Sequence, residues 1–125
     1  MKTGFVLLLM GLWVGMLQSQ SDLNTALGKG DLSVISGYLA DKLELVVGST
    51  DAIISKADAI NRLKEFYSVH QTQGFRSVHT GASKTNESNY SIGELVTDKG
   101  IYRVYIYFTQ EGQKRQITEL RFEKQ

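Results

Sequence analysis

The sequence predicts an α+β domain in which helices pack on one face of a curved, four-stranded antiparallel meander. Three observations predict it. Apolar residues at helical spacing gather in the first half of the chain, at Leu23, Ala26 and Leu27, and again at Ile60, Leu63, Phe66 and Tyr67. From Phe75 onward the period becomes two, and turn residues interrupt it three times. Helical and strand segments are therefore segregated along the chain rather than alternating.

The chain begins with a basic head, Met1-Lys2-Thr3, an apolar run from Gly4 to Leu17, and the small polar stretch Gln18-Ser19-Gln20-Ser21. These are the three parts of a secretory signal peptide, expected over residues 1–20 with cleavage after Ser19 or Ser21. The run is shorter than the roughly 20 residues a membrane span needs. It shows no polar face, as an amphipathic core helix would. Cleavage leaves residues 21–125 as a single domain, exported to the periplasm or beyond the cell. Loss of Lys2 reduces the 14 Lys plus Arg by one, to match the 13 Asp plus Glu.

In the domain, Ser21 or Asp22 caps a first helix, which Gly28-Lys29-Gly30 interrupts. Asp31 caps a second segment carrying Leu32, Ile35 and Leu39 at helical spacing. Leu43, Leu45 and Val47 predict a short strand, Gly48-Ser49-Thr50-Asp51 a turn, and Ala52-Ile53-Ile54 another short extended piece. Ser55-Lys56-Ala57-Asp58 resembles a capping box and opens a helix running to about His70. Four strands follow: Phe75 to Lys84, Tyr90 to Thr97, Ile101 to Thr109 and about Arg115 to Glu123. The connecting turns are Thr85-Asn86-Glu87, Asp98-Lys99-Gly100 and Glu111-Gly112-Gln113. The third strand is dense in β-branched and aromatic residues, and its alternation assigns two faces. Tyr102, Val104, Ile106 and Phe108 point to the core; Ile101, Arg103, Tyr105 and Tyr107 point outward.

This layout resembles the cone-shaped fold of nuclear transport factor 2-like proteins, a fold that also includes ketosteroid isomerases and polyketide cyclases. More narrowly, six stretches resemble a domain-of-unknown-function family of small exported bacterial proteins, mostly from the Bacteroidota. They are Ala26-Leu27-Gly28-Lys29-Gly30-Asp31, Ser55-Lys56-Ala57-Asp58-Ala59, His79-Thr80-Gly81-Ala82-Ser83, Ile92-Gly93-Glu94-Leu95-Val96-Thr97, Tyr102-Arg103-Val104-Tyr105 and Ile117-Thr118-Glu119-Leu120-Arg121-Phe122. The resemblance implies the fold and carries no catalytic residues to transfer. It implies homodimers too, which in this fold commonly pair through the open sheet face.

Composition narrows the function. The chain has no Cys, which excludes a disulfide framework, a lipoprotein anchor, cysteine zinc sites and a thiol nucleophile. A neutral domain lacks the basic excess that nucleic acid or an anionic membrane would select. No cofactor is predicted, and no metal site: His70 and His79 are not accompanied by a metal-ligand pattern. Acid–base candidates are Asp41, Glu44, His70 and His79; a carboxylate in an apolar cup could abstract a proton from carbon. No catalytic residue is assigned, however, because the inner face offers Tyr102 as its only polar-tipped member. Spacing alone leaves the face of His79 open. A cup for a small hydrophobic ligand would be lined by Phe66, Tyr67, Tyr102 and Phe108. The preferred expectation is a non-catalytic binding module that forms a homodimer through Tyr90, Arg103, Tyr105 and Tyr107, since a row of exposed aromatics beside Arg marks interfaces.

Overall fold

A computed structural model describes residues 19–82, 88–111 and 114–125. The expected signal segment therefore lies almost wholly outside the described residues, as do Thr85-Asn86-Glu87 and Gly112-Gln113 in two of the expected turns.

Helix α1, Ser19–Lys29, starts earlier than Ser21 or Asp22 would place it. It ends on Gly30, whose φ of 71° is left-handed, while the Asp31 N–H donates back to the Ala26 carbonyl at 2.9 Å. A glycine one residue past the end, with a six-to-one hydrogen bond, is a Schellman stop. A side chain at Gly30 would also collide with the Tyr67 ring at 2.8 Å. Gly28-Lys29-Gly30 is thus a helix terminus. Asp31 caps α2, Leu32–Tyr38, by accepting from the Val34 N–H at 3.3 Å. Leu39, expected on that helix, instead opens strand β1, Leu39–Val47. Its pairing with Ile117 and its complete burial outweigh the helical spacing.

Strand β2, Thr50–Ser55, folds back on β1 through a turn with Gly48 at φ 58°. Ser55 then caps α3, Lys56–Val69, its Oγ accepting from the Asp58 N–H at 3.2 Å. Such a cap contributes about 1 kcal/mol. Strands β3 (Thr72–Ala82), β4 (Ser88–Thr97), β5 (Gly100–Glu111) and β6 (Lys114–Lys124) complete the chain.

The expected four-stranded meander is present, but as part of a larger sheet. Six strands run in the order β2-β1-β6-β5-β4-β3, antiparallel except for the β1–β6 pair. The two short strands do not stand apart. Leu43, Leu45 and Val47 are buried, and β1 lies parallel to β6 with Leu45 opposite Leu120. That pairing satisfies the backbone of the meander's last strand, which would otherwise be an exposed edge.

The helices cover one face. Leu23, Leu27, Ile35, Leu63 and Phe66 meet Val104, Ile106, Phe108, Ile117, Leu120 and Phe122 in one core. Each such side chain gains roughly 1.5–3 kcal/mol on leaving water. The inner set expected on β5 is therefore buried, with Tyr102 half-buried at its edge.

Candidate functional site

The other face of the sheet has no helix on it among the described residues. Antiparallel register sets Tyr90 opposite Tyr107, Ile92 opposite Tyr105 and Glu94 opposite Arg103. All four residues expected at an interface thus lie on one surface. The Tyr90 and Tyr107 rings sit 6.2 Å apart, tilted by 37°. A register shift between Ser77 and His79 moves His79 off the parity of Ser77 and onto this outer face, opposite Ile92. Its Nε2 lies 3.0 Å from the Tyr90 hydroxyl. Tyr90 also lies across Gly81, where an added Cβ would meet its ring at 2.6 Å. His79, Tyr90 and Tyr107 form a continuous aromatic row, fixed at one end by a glycine that leaves room for a flat ring. Tyr107 and Ile101 remain about two-fifths exposed, at 41% and 40%.

Two charge clusters flank that row. On β3, β4 and β5, Arg76 donates from Nε to Glu94 Oε1 at 3.0 Å, and Arg103 lies 3.7 Å from Oε2. The Arg76 hydrogen bond, with the charges of both arginines, holds the Glu94 carboxyl below the usual carboxylate range. On the other side, parallel register brings Glu44 on β1 beside Glu119 on β6. Partial burial, followed by the hydrogen bond and charge of Glu44, pushes the Glu119 carboxyl up; Arg121, at 3.3 Å, opposes the shift.

The helix-covered side holds a different group. Phe66 stacks on His70 with centroids 4.0 Å apart and meets Tyr102 edge-on at 5.1 Å. His70 Nδ1 is 2.8 Å from the Phe66 carbonyl and Nε2 is 2.9 Å from the Tyr102 hydroxyl. A carbonyl only accepts, so in the neutral ring Nδ1 carries the proton and the tyrosine hydroxyl donates to Nε2. Both ring nitrogens are engaged within the chain. Tyr67 donates its hydroxyl to the Leu27 carbonyl at 2.7 Å, and burial pushes the phenol well up. Phe108 stands apart, six residues along β5 from Tyr102 and so about 20 Å away. It is fully buried under the Arg115 guanidinium, 3.9 Å above its ring. A depression of about 220 Å³ opens beside Phe66 and His70, between α3 and the β1–β2 turn, but Tyr67, Tyr102 and Phe108 do not line it.

The four acid–base candidates are dispersed. Asp41 is exposed and 3.9 Å from Lys56. Glu44 and His79 lie on the outer face, on β1 and β3. His70 closes α3. Among the described residues no three His, Cys, Asp or Glu side chains gather as a metal site. Sequence reasoning did not single out Arg76, Glu94, Glu119 or Arg121. Their signal was present: Glu119, Arg121 and Glu123 alternate with Leu120 and Phe122, which puts them on the outer face once the core face is known.

Comparison with known proteins places this geometry in a family. The profile of DUF4783, a domain of unknown function, matches residues 20–123, and the chain belongs to that family. A DUF4783 protein from Bacteroides ovatus is 28% identical over 83% of this chain and 93% of its own, with a TM-score of 0.77. One from Bacteroides fragilis is 27% identical over 83% and 96%, with a TM-score of 0.75. An NTF2-like protein from Cytophaga hutchinsonii, 10% identical over 88% and 95%, aligns with a TM-score of 0.64 and shares the fold. No match was found among curated proteins.

Proposed function

We propose that this DUF4783 protein is a non-catalytic, exported interaction module that self-associates through the outer face of its sheet. One observation carries the reading. Tyr90, Tyr105 and Tyr107 lie together with Arg103 on a face that the described residues leave uncovered. Tyrosine supplies contact area with a polar tip at low entropic cost, and Arg adds planar hydrogen bonding, so such rows favour a protein partner. Export rests on the basic, apolar and small-polar parts of residues 1–21. Among the described residues no helix is long and apolar enough to cross a membrane.

A small-molecule or isomerase-like reading draws less support. Its expected lining is split between the His70–Tyr102 cluster and the buried Phe108, and the hydroxyls of Tyr67 and Tyr102 are already hydrogen-bonded within the chain.

Native mass spectrometry of protein purified from its source reads these features together. The expected species is a dimer of chains beginning at Gln20 or Asp22, without ligand. A monomer at high micromolar concentration overturns self-association, a bound small molecule revives the cup, and an intact N-terminus removes cleavage.

A further inference from the structure

The outer face divides along the middle of the sheet into halves of opposite character. Among the described side chains, register turns outward from the β2-β1-β6 half four carboxylates, Asp51, Glu44, Glu119 and Glu123, and two cations, Lys42 and Arg121, for a formal charge of −2. Among the described side chains, the β5-β4-β3 half turns outward Arg76, Arg103 and Glu94, for a formal charge of +1. The same half carries all three outward tyrosines. The seam between β6 and β5 is the midline of the six-stranded order.

Resting on the self-association proposed above, we infer that the partner is a second copy laid across the β6–β5 seam, each acidic half against the other's basic, tyrosine-bearing half. A twofold axis parallel to the strands and over the seam does this in one operation. An isologous contact requires that each patch meet its complement on an identical surface. The same operation keeps the two sheets aligned, one of the two stable ways for sheets to pack face to face. Tyr105 is paired with Arg121 across the seam within one copy. In the dimer its ring also faces the partner's Arg121, a cation–π arrangement. Any half-on-half stacking without exchange sets acid against acid at Glu44 and Glu119, which their mutual repulsion already penalises in one copy.

Charge reversal in separate copies tests the exchange. One variant carries Glu44→Lys and Asp51→Lys; the other carries Arg76→Glu and Arg103→Glu. Asp51 and Arg76 sit on opposite edge strands, five spacings or about 24 Å apart, so they do not couple within one copy. Thermal melts report whether each variant folds. If the second does not, Arg76→Glu alone replaces it, since its side chain is 74% exposed. Sedimentation at low salt is expected to show each variant alone dimerising at least about tenfold more weakly than wild type. An equimolar mixture is expected to recover to within about threefold as a heterodimer, since both sets of contacts are again opposite in sign. A mixture no tighter than its components overturns the half-exchange, as does either variant dimerising like wild type. A wild-type monomer is a separate result, which removes self-association itself.

Discussion

The two faces of β5 share one backbone and differ in what they meet. Val104, Ile106 and Phe108 are at most 1% exposed, packed beneath the helices. Tyr107 and Ile101, on the other side, are about two-fifths exposed, and Arg103 joins an ion pair. On the inner face the polar atoms of His70, Tyr102 and Tyr67 bond to groups of the same chain. The outer face also carries internal bonds, His79 to Tyr90 and Arg76 to Glu94, but no helix covers it among the described residues, and its described charges sort into an acidic and a basic half. A face built only for solubility has no reason to align tyrosines and divide charge at the sheet's midline. On the proposed reading the inner face supports the fold and the outer face serves recognition, so substitutions should separate the two.

The largest expected effect lies on the inner face. Phe66 is 6% exposed and its ring meets Tyr67, His70, Tyr102 and Phe122. Phe66→Ala opens a cavity and leaves the His70 ring without its stacking partner, at a cost of about 3–5 kcal/mol in chemical denaturation. The dimerisation constant of whatever folds should stay near wild type. A loss below about 1 kcal/mol would mean that α3 is not anchored as the geometry has it.

The outer face should respond in the reverse sense. Replacing Tyr105 and Tyr107 together with Ala should cost the monomer no more than about 1 kcal/mol, as half-exposed strand residues do. It should raise the dimer dissociation constant at least about tenfold, the usual weight of interface tyrosines. Equal loss of stability and association would break the comparison, because the outer tyrosines would then be holding the fold.

The inner face was the more legible in the sequence. Val104, Ile106 and Phe108 carry no polar atom, so period two was enough to assign them, and Ser55 and Asp31 announced their caps. Leu39 was not legible, because its fate rests on pairing with Ile117, far along the chain. The same is true of the sheet's size. A parallel β1–β6 pair is a long-range contact that no local pattern encodes. On the outer face, the four expected interface residues could be read from alternation, with Tyr90 dependent on a register that the structure supplies. The charge halves were invisible for the same reason: Glu44 and Glu119 become neighbours only through the β1–β6 pairing. His79 turned outward at a bulge, and a bulge inverts the parity on which sequence reading depends.

The smallest expected effect is a pH dependence at the acidic half. Glu119 has its carboxyl pushed above the ordinary range by burial and by Glu44, against the pull of Arg121. A carboxyl with a raised folded-state value favours the folded protein at pH below the ordinary carboxylate range. That contribution is lost as pH rises through the raised value, because the native state must then hold two adjacent carboxylates. Glu119→Gln removes the second charge and keeps a side chain that can hydrogen-bond to Glu44. The variant should therefore gain stability relative to wild type near neutral pH, by about 0.5 kcal/mol at this partly exposed site. The gain should shrink toward pH 4, where the wild-type carboxyl is protonated. Paired thermal melts across that range measure the difference. A gain that does not vary with pH would show that it does not come from removing the Glu119 charge. A loss at neutral pH would show that Arg121, rather than Glu44, governs Glu119.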